Sequence, residues 1–167
     1  MTVPLVVMGV AGCGKSSLGR ALAQALACPL IEGDDFHTEA SRDKMRRGVP
    51  LDDADREGWL DRLAAEMRRH PQGAVLTCSA LKRKYRGRLR EALPGLRFVY
   101  LRIDEPLARE RVAARAAEHL FPPSLVPSQF AALESPEGEP GVLSLDARLP
   151  LPSLAAGALG WLQEPRA

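Results

Sequence analysis

Five short apolar runs punctuate the chain, at Pro4–Met8, Pro29–Glu32, Ala74–Cys78, Arg97–Arg102 and Gly141–Leu145. They show little polar alternation, as expected of strands in a parallel sheet covered on both faces. Between them the apolar positions take helical spacing. Leu18, Leu22, Ala25 and Leu26 recur at i, i+4, i+7 and i+8, and Trp59, Leu60, Leu63 and Met67 mark a helix over Asp55–Arg69. Further helices are predicted over Lys82–Ala92, Pro106–Ala117 and Leu154–Leu162. Strand–helix alternation of this kind implies right-handed crossovers and an α/β fold, a doubly wound parallel five-stranded sheet flanked by helices.

Two regions break the rhythm. Residues from about 34 to 70 hold two helical segments around the turn "GVPLDDADR" and no strand. An insertion there sits at the carboxyl edge of the sheet, where such folds bind ligands. The segment Glu118–Pro127, "EHLFPPSLVP", carries three prolines and reads as a loop excursion, and "ESPEGEPG" (Glu134–Gly141) reads as an exposed loop.

At 167 residues the chain is expected to form a single domain. Its 46% hydrophobic and 26% charged content is ordinary for a globular protein. A net charge of +2 with 5% aromatic residues gives no basic, aromatic-laced patch for nucleic acid. Cys13, Cys28 and Cys78 have no metal-ligand spacing and read as reduced thiols. No apolar stretch approaches the roughly 20 residues that span a bilayer. These features suggest a cytoplasmic protein without membrane or nucleic-acid partners.

The chemistry begins after the first strand. Gly9, Gly12, Gly14, Lys15 and Ser16 fit G-x-x-x-x-G-K-[ST] between a predicted strand and a predicted helix. Backbone N–H groups from Gly9 through Val10, Ala11, Gly12, Cys13, Gly14, Lys15, Ser16 and Ser17 can curl around nucleotide phosphates, aided by the helix N-terminus. Lys15 is expected to reach the β- and γ-phosphates of ATP, and the Ser16 hydroxyl to ligate Mg²⁺. Cys13 is either a small residue suited to a tight turn or a thiol activated by the helix N-terminus.

The sequence contains no Asn, so a guanine-reading NKxD motif is excluded. Glu32, Asp34 and Asp35 instead close the second predicted strand. Carboxylates at that edge lie beside the phosphate loop, where one could hold metal-bound water and another an acceptor hydroxyl. That is an arrangement for a small-molecule kinase.

Three further blocks carry a family resemblance. "EGDDFHTEASRDKMRRGVPLDDADREGWL" (Glu32–Leu60) resembles the gluconate kinase pattern G-D-x-x-H, K-M-x-x-G-x-P-L and D-x-D-R-x-x-W-L. "CSALKRKYRGRLR" (Cys78–Arg90) resembles that family's second signature, and "HLFPPSLVPSQFAALESP" (His119–Pro136) its lid. The resemblance runs in order from Gly9 to Pro136. It implies the nucleoside monophosphate kinase-like fold with a lid at about 115–130, ATP-dependent phosphorylation of D-gluconate to 6-phosphogluconate, and a homodimer. A related kinase for another sugar acid or shikimate, or a non-catalytic ATP-binding protein, are the alternatives.

On this resemblance Asp34 contacts the accepting hydroxyl, or holds Mg²⁺ through a water. His37 bonds a polyol hydroxyl or the backbone, and Lys44 draws in the anion or is simply solvated. Asp52 caps the following helix with Asp55, and Arg56 is expected to pair with Asp52 or Asp53 rather than touch substrate. Ser79, which follows the third strand, is assigned to the substrate site. Lys82, Arg86 and Arg90 form a stripe at i, i+4 and i+8, with Lys82 and Arg86 assigned to the substrate carboxylate and Arg90 to a solvated face. Arg111 and Arg115 are the expected lid arginines, or ordinary helix ion-pair partners. Gln129 and Phe130 are assigned to lid packing, and the adenine site to Asp146–Pro152. The chain departs from the family at Thr38, usually Pro, at Ser41, usually Asn, and in "RAAEH", one residue longer than usual and without its Gly.

Overall fold

Five parallel strands lie in the order β2-β3-β1-β4-β5 in the computed structural model, which describes residues 3–115 and 121–165. They are β1 (Leu5–Met8), β2 (Leu30–Glu32), β3 (Val75–Thr77), β4 (Arg97–Arg102) and β5 (Val142–Asp146). Each falls within a residue of a predicted run. β1 is central, its Leu5 in register with Val75 on one side and Arg97 on the other. All four of its side chains are fully buried, as its unbroken apolar run requires.

Among the described residues there are seven α-helices: α1 (Lys15–Leu26), α2 (Glu39–Arg46), α3 (Asp53–Arg68), α4 (Arg83–Ala92), α5 (Glu105–Ala114), α6 (Val126–Ala132) and α7 (Leu151–Gln163). Leu5 and Val7 face one core with Leu18 and Leu22 of α1, Ala108 and Val112 of α5, and Leu154 and Ala158 of α7. Val6 and Met8 face the other, with Trp59, Leu60 and Leu63 of α3 and Tyr85 and Leu89 of α4. Alternate residues of one strand thus feed opposite layers, which makes the sheet doubly wound.

The insertion after β2 consists of a 3₁₀ turn at Gly33–Phe36, then α2 and α3. Thr38, the departure from proline, caps α2 by accepting the Ser41 N–H. Asp52 and Asp55 form a reciprocal capping box at the start of α3. The predicted loop excursion is corrected at its C-terminal end: Pro123–Leu125 form a 3₁₀ turn and α6 begins at Val126. Pro127 is tolerated there because the first helical turn has no use for its missing N–H. Of the lid expected at about 115–130, residues 116–120, with His119, lie outside the described residues. No described helix is long and apolar enough to cross a membrane.

Candidate active site

Because every strand runs the same way, the carboxyl ends of β1, β2 and β3 open onto one edge. A cavity of about 370 Å³ lies there, with Gly12, Lys15, Asp34, Arg56, Ser79 and Lys82 in its wall. The phosphate loop folds back on itself, Lys15 Nζ donating to the carbonyls of Gly9 at 2.9 Å and Val10 at 3.1 Å. Gly12 has φ +85°, and a Cβ there would stand 2.8 Å from the Ala108 carbonyl. Only glycine lets α5 approach the loop this closely. Cys13 is buried, and its Sγ lies 4.0 Å from Lys15 Nζ.

Ser16 Oγ donates to Glu32 Oε2 at 3.0 Å, and Thr77 Oγ1 donates to the same oxygen at 2.6 Å. Sequence reasoning placed Glu32 at this edge but gave it no specific role. A hydroxyl and a carboxylate side by side offer the hard oxygen ligands that Mg²⁺ takes, alongside the phosphates and waters that complete its shell. Ser16 and Glu32 therefore fit the ion.

Asp34 sits in the 3₁₀ turn with its side chain 91% exposed and lines the cavity. The turn is fixed from three sides. Trp59 Nε1 donates to the Gly33 carbonyl at 2.8 Å, Arg42 donates to the Asp34 carbonyl at 3.1 Å, and Arg62 donates to the Phe36 carbonyl at 3.2 Å. Gly33 is required, since a Cβ would fall 2.2 Å from the Thr77 carbonyl. His37 stacks on Trp59 at 4.4 Å, and its Nε2 lies 3.6 Å from Asp34 Oδ1. Its side chain is only 4% exposed, and Nδ1 has no partner among the described residues.

The expected carboxylate subsite is rearranged. Lys82 lines the cavity and donates to Asp53 at 3.0 Å, whereas Arg86 does not line it. Arg86 is 0% exposed, spent on Glu139 and on the carbonyls of Ala80, Leu81 and Glu134. The face of α4 assigned to substrate at Arg86 is turned into the protein, so Arg86 acts from behind. It holds the Ser79–Lys82 turn, where Ala80 has φ +46°, a conformation unfavourable for a residue with a Cβ. Arg90 is likewise no solvated residue, since it pairs with Glu139 at 2.9 Å and lies over Phe98. Glu139, read as part of an exposed loop, is the half-buried anchor of both.

Lys44 is also displaced from its expected role. It pairs with Asp55 at 2.8 Å and is absent from the cavity wall, because the acidic start of α3 takes its charge. Asp53 accepts bonds from Lys84, Tyr85 and Lys82, which together hold its carboxyl far below the usual range. That leaves Arg56 without the acid expected for it. Arg56 is 8% exposed, lines the cavity, donates to Ser79 Oγ at 3.5 Å and lies 5.8 Å from the Tyr85 ring centre. Among the described residues it has no ion-pair partner. Its place in D-x-D-R was the visible signal; its nearest acids in sequence masked it.

Of the two expected lid arginines, Arg115 lines the cavity. Arg111 bonds the carbonyls of Gly12 and Ala147, joining the phosphate loop to the turn after β5 where the adenine was expected.

The chain is similar to known proteins in both sequence and fold. The sequence profile of the AAA domain matches residues 5–134. The gluconokinase of Gluconobacter oxydans (strain 621H) is 43% identical over 83% of this chain and 79% of its own length. The thermoresistant gluconokinase of Escherichia coli (strain K12) is 37% identical, covering 92% of this chain and 90% of its own. The crystal structure of a gluconokinase from Sinorhizobium meliloti 1021 superposes with a TM-score of 0.87 at 42% identity, over 96% of this chain and 91% of that one. On sequence and fold together, the chain belongs to the gluconokinase family of P-loop kinases.

Proposed function

We propose that the protein phosphorylates D-gluconate at the expense of ATP, giving 6-phosphogluconate and ADP. The observation that carries this reading is one cavity flanked by a phosphate loop, an exposed carboxylate at Asp34 and a buried cation at Arg56. The N–H groups of Gly12, Gly14, Lys15 and Ser16 and the Lys15 ammonium hold the triphosphate. The expected donors at Gly9, Ala11 and Cys13 are bonded to Ser79, Gln129 and Val10 instead. Arg56 and Lys82 take the substrate carboxylate, which leaves the far hydroxyl of the extended polyol chain to reach Asp34.

In the transfer, the hydroxyl oxygen bonds to the γ-phosphorus as the bond to the β–γ bridging oxygen breaks. Asp34 receives the hydroxyl proton, and ADP leaves with the bond's electron pair. His37, wedged against Trp59, keeps Asp34 in place and offers a ring nitrogen to a polyol hydroxyl. Arg115 faces the charge that develops on the transferring group, and Arg111 fixes the loop from behind. Mg²⁺ would be held by Ser16 and, through water, by Glu32 or Asp34, and would supply neutralisation of phosphate charge. The family resemblance extends the reading to a homodimer, and the composition with its unpaired cysteines extends it to the cytoplasm.

A coupled ADP-release assay over gluconate, other aldonates, shikimate and nucleoside monophosphates tests the assignment. Turnover is expected with gluconate, and Asp34→Asn is expected to lose most kcat with ATP affinity intact. Activity confined to shikimate or a monophosphate, or no turnover with any acceptor, would overturn it.

A further inference from the structure

Gln129 lies in α6, the helix hidden by the prolines in and before it, and is assigned by sequence only to packing. Its side chain reaches the phosphate loop: the Ala11 N–H donates to Gln129 Oε1 at 2.9 Å. A backbone N–H can only donate, so the atom facing it is the amide oxygen and Nε2 is the other end of the group. Gln129 is 7% exposed and lines the cavity that holds Lys15, Asp34 and Ser79. Neighbours fix its helix, with Val126 fully buried in the core and the carbonyl of Leu81 bonded to the Glu134 N–H. The result is a neutral donor held against the loop in the wall of that cavity.

We propose that Gln129 contacts the terminal phosphoryl group of the nucleotide, its Oε1 locking the Ala11 peptide and its Nε2 donating to a γ-phosphate oxygen. This rests on the kinase reading above. Lys15 approaches the β- and γ-phosphates from within the loop, and the acceptor arrives beside Asp34. A donor in the wall of the same cavity, bonded to the loop at Ala11, meets the end of the phosphate chain, where charge shifts during transfer. Fixed donors aimed at such charge are worth about 10²- to 10³-fold in rate in other enzymes. The same contact makes α6 a reader of nucleotide state, because ADP offers it nothing.

Gln129→Glu separates this role from a structural one. The nearly isosteric carboxylate still accepts the Ala11 N–H, but it lacks the donor and brings a negative charge to the γ-phosphate. Calorimetry with ADP and with the imido analogue of ATP, both with Mg²⁺, is expected to show unchanged ADP affinity and analogue affinity at least about tenfold weaker. Gluconate kcat is expected to fall in parallel. Gln129→Met, which removes both contacts, is expected to raise the analogue-to-ADP ratio of dissociation constants as well. An unchanged ratio in either folded variant overturns the proposal. The ratio needs no acceptor, so failure of the wild type to phosphorylate gluconate would strike the functional reading while Gln129 is still judged.

Discussion

Arg56 is a buried guanidinium whose charge meets only a hydroxyl and an aromatic face among the described residues. Burying a cation this way costs several kcal/mol unless an anion joins it, so the site is primed for a carboxylate. Arg56→Met is expected to raise the KM for gluconate about 10- to 100-fold, the worth of one charged hydrogen bond, with ADP affinity unchanged. The same variant is expected to melt no lower than the wild type, since it removes an uncompensated charge. Steady-state kinetics and a thermal melt check both, and lost ADP affinity would move Arg56 to the nucleotide. Sequence reading had the right motif here and the wrong partner. Asp52 is taken by the α3 cap and Asp53 by Lys82, Lys84 and Tyr85, a division among neighbours that no linear spacing encodes. Arg86 shows the reverse error. An i+4 stripe of cations describes an exposed face only where nothing covers it, and Glu139 covers this one from 53 residues away.

Among the elements, the segment between α6 and β5 is tied down by Glu139. Its carboxyl lies below its ordinary value, chiefly through the Arg86 hydrogen bond and then Arg90, against the opposing effect of burial. A lowered folded-state value gives stability that is complete above about pH 4.5 and is lost as pH falls through the lower folded value. Glu139→Gln is expected to cost about 3 kcal/mol at pH 7, because it strands a buried Arg86. In urea titrations the gap between variant and wild type is expected to narrow towards pH 3. A constant gap would mean that the pair is not what titrates. The elements legible beforehand were those with local grammar: apolar strand runs, the α3 capping box, the glycine turn before α1. α6 escaped because three prolines look like loop, although proline within a first helical turn breaks nothing.

At the scale of the whole molecule, the phosphate loop is the place where layers meet. Gly9 bonds Ser79 after β3, Ala11 bonds α6, and Gly12 bonds Arg111 of α5. A ligand that orders this loop is therefore expected to stabilise every layer together. ADP at about 100 times its Kd is expected to raise stability by about 2.7 kcal/mol through one unbroken thermal transition, followed by calorimetry. An early, ligand-sensitive step separate from the main melt would contradict that coupling. The parallel sheet was legible from its apolar runs, but its order was not, because pairing is decided by crossovers rather than by the strands. That order has a consequence for how the chain is made. β1 leaves the ribosome before either partner, and it completes neither flank until residues near Val75 and Arg97 have followed. The earliest of these five strands is thus the keystone set late, and the capacity to hold a nucleotide arrives only when most of the sheet has closed around it.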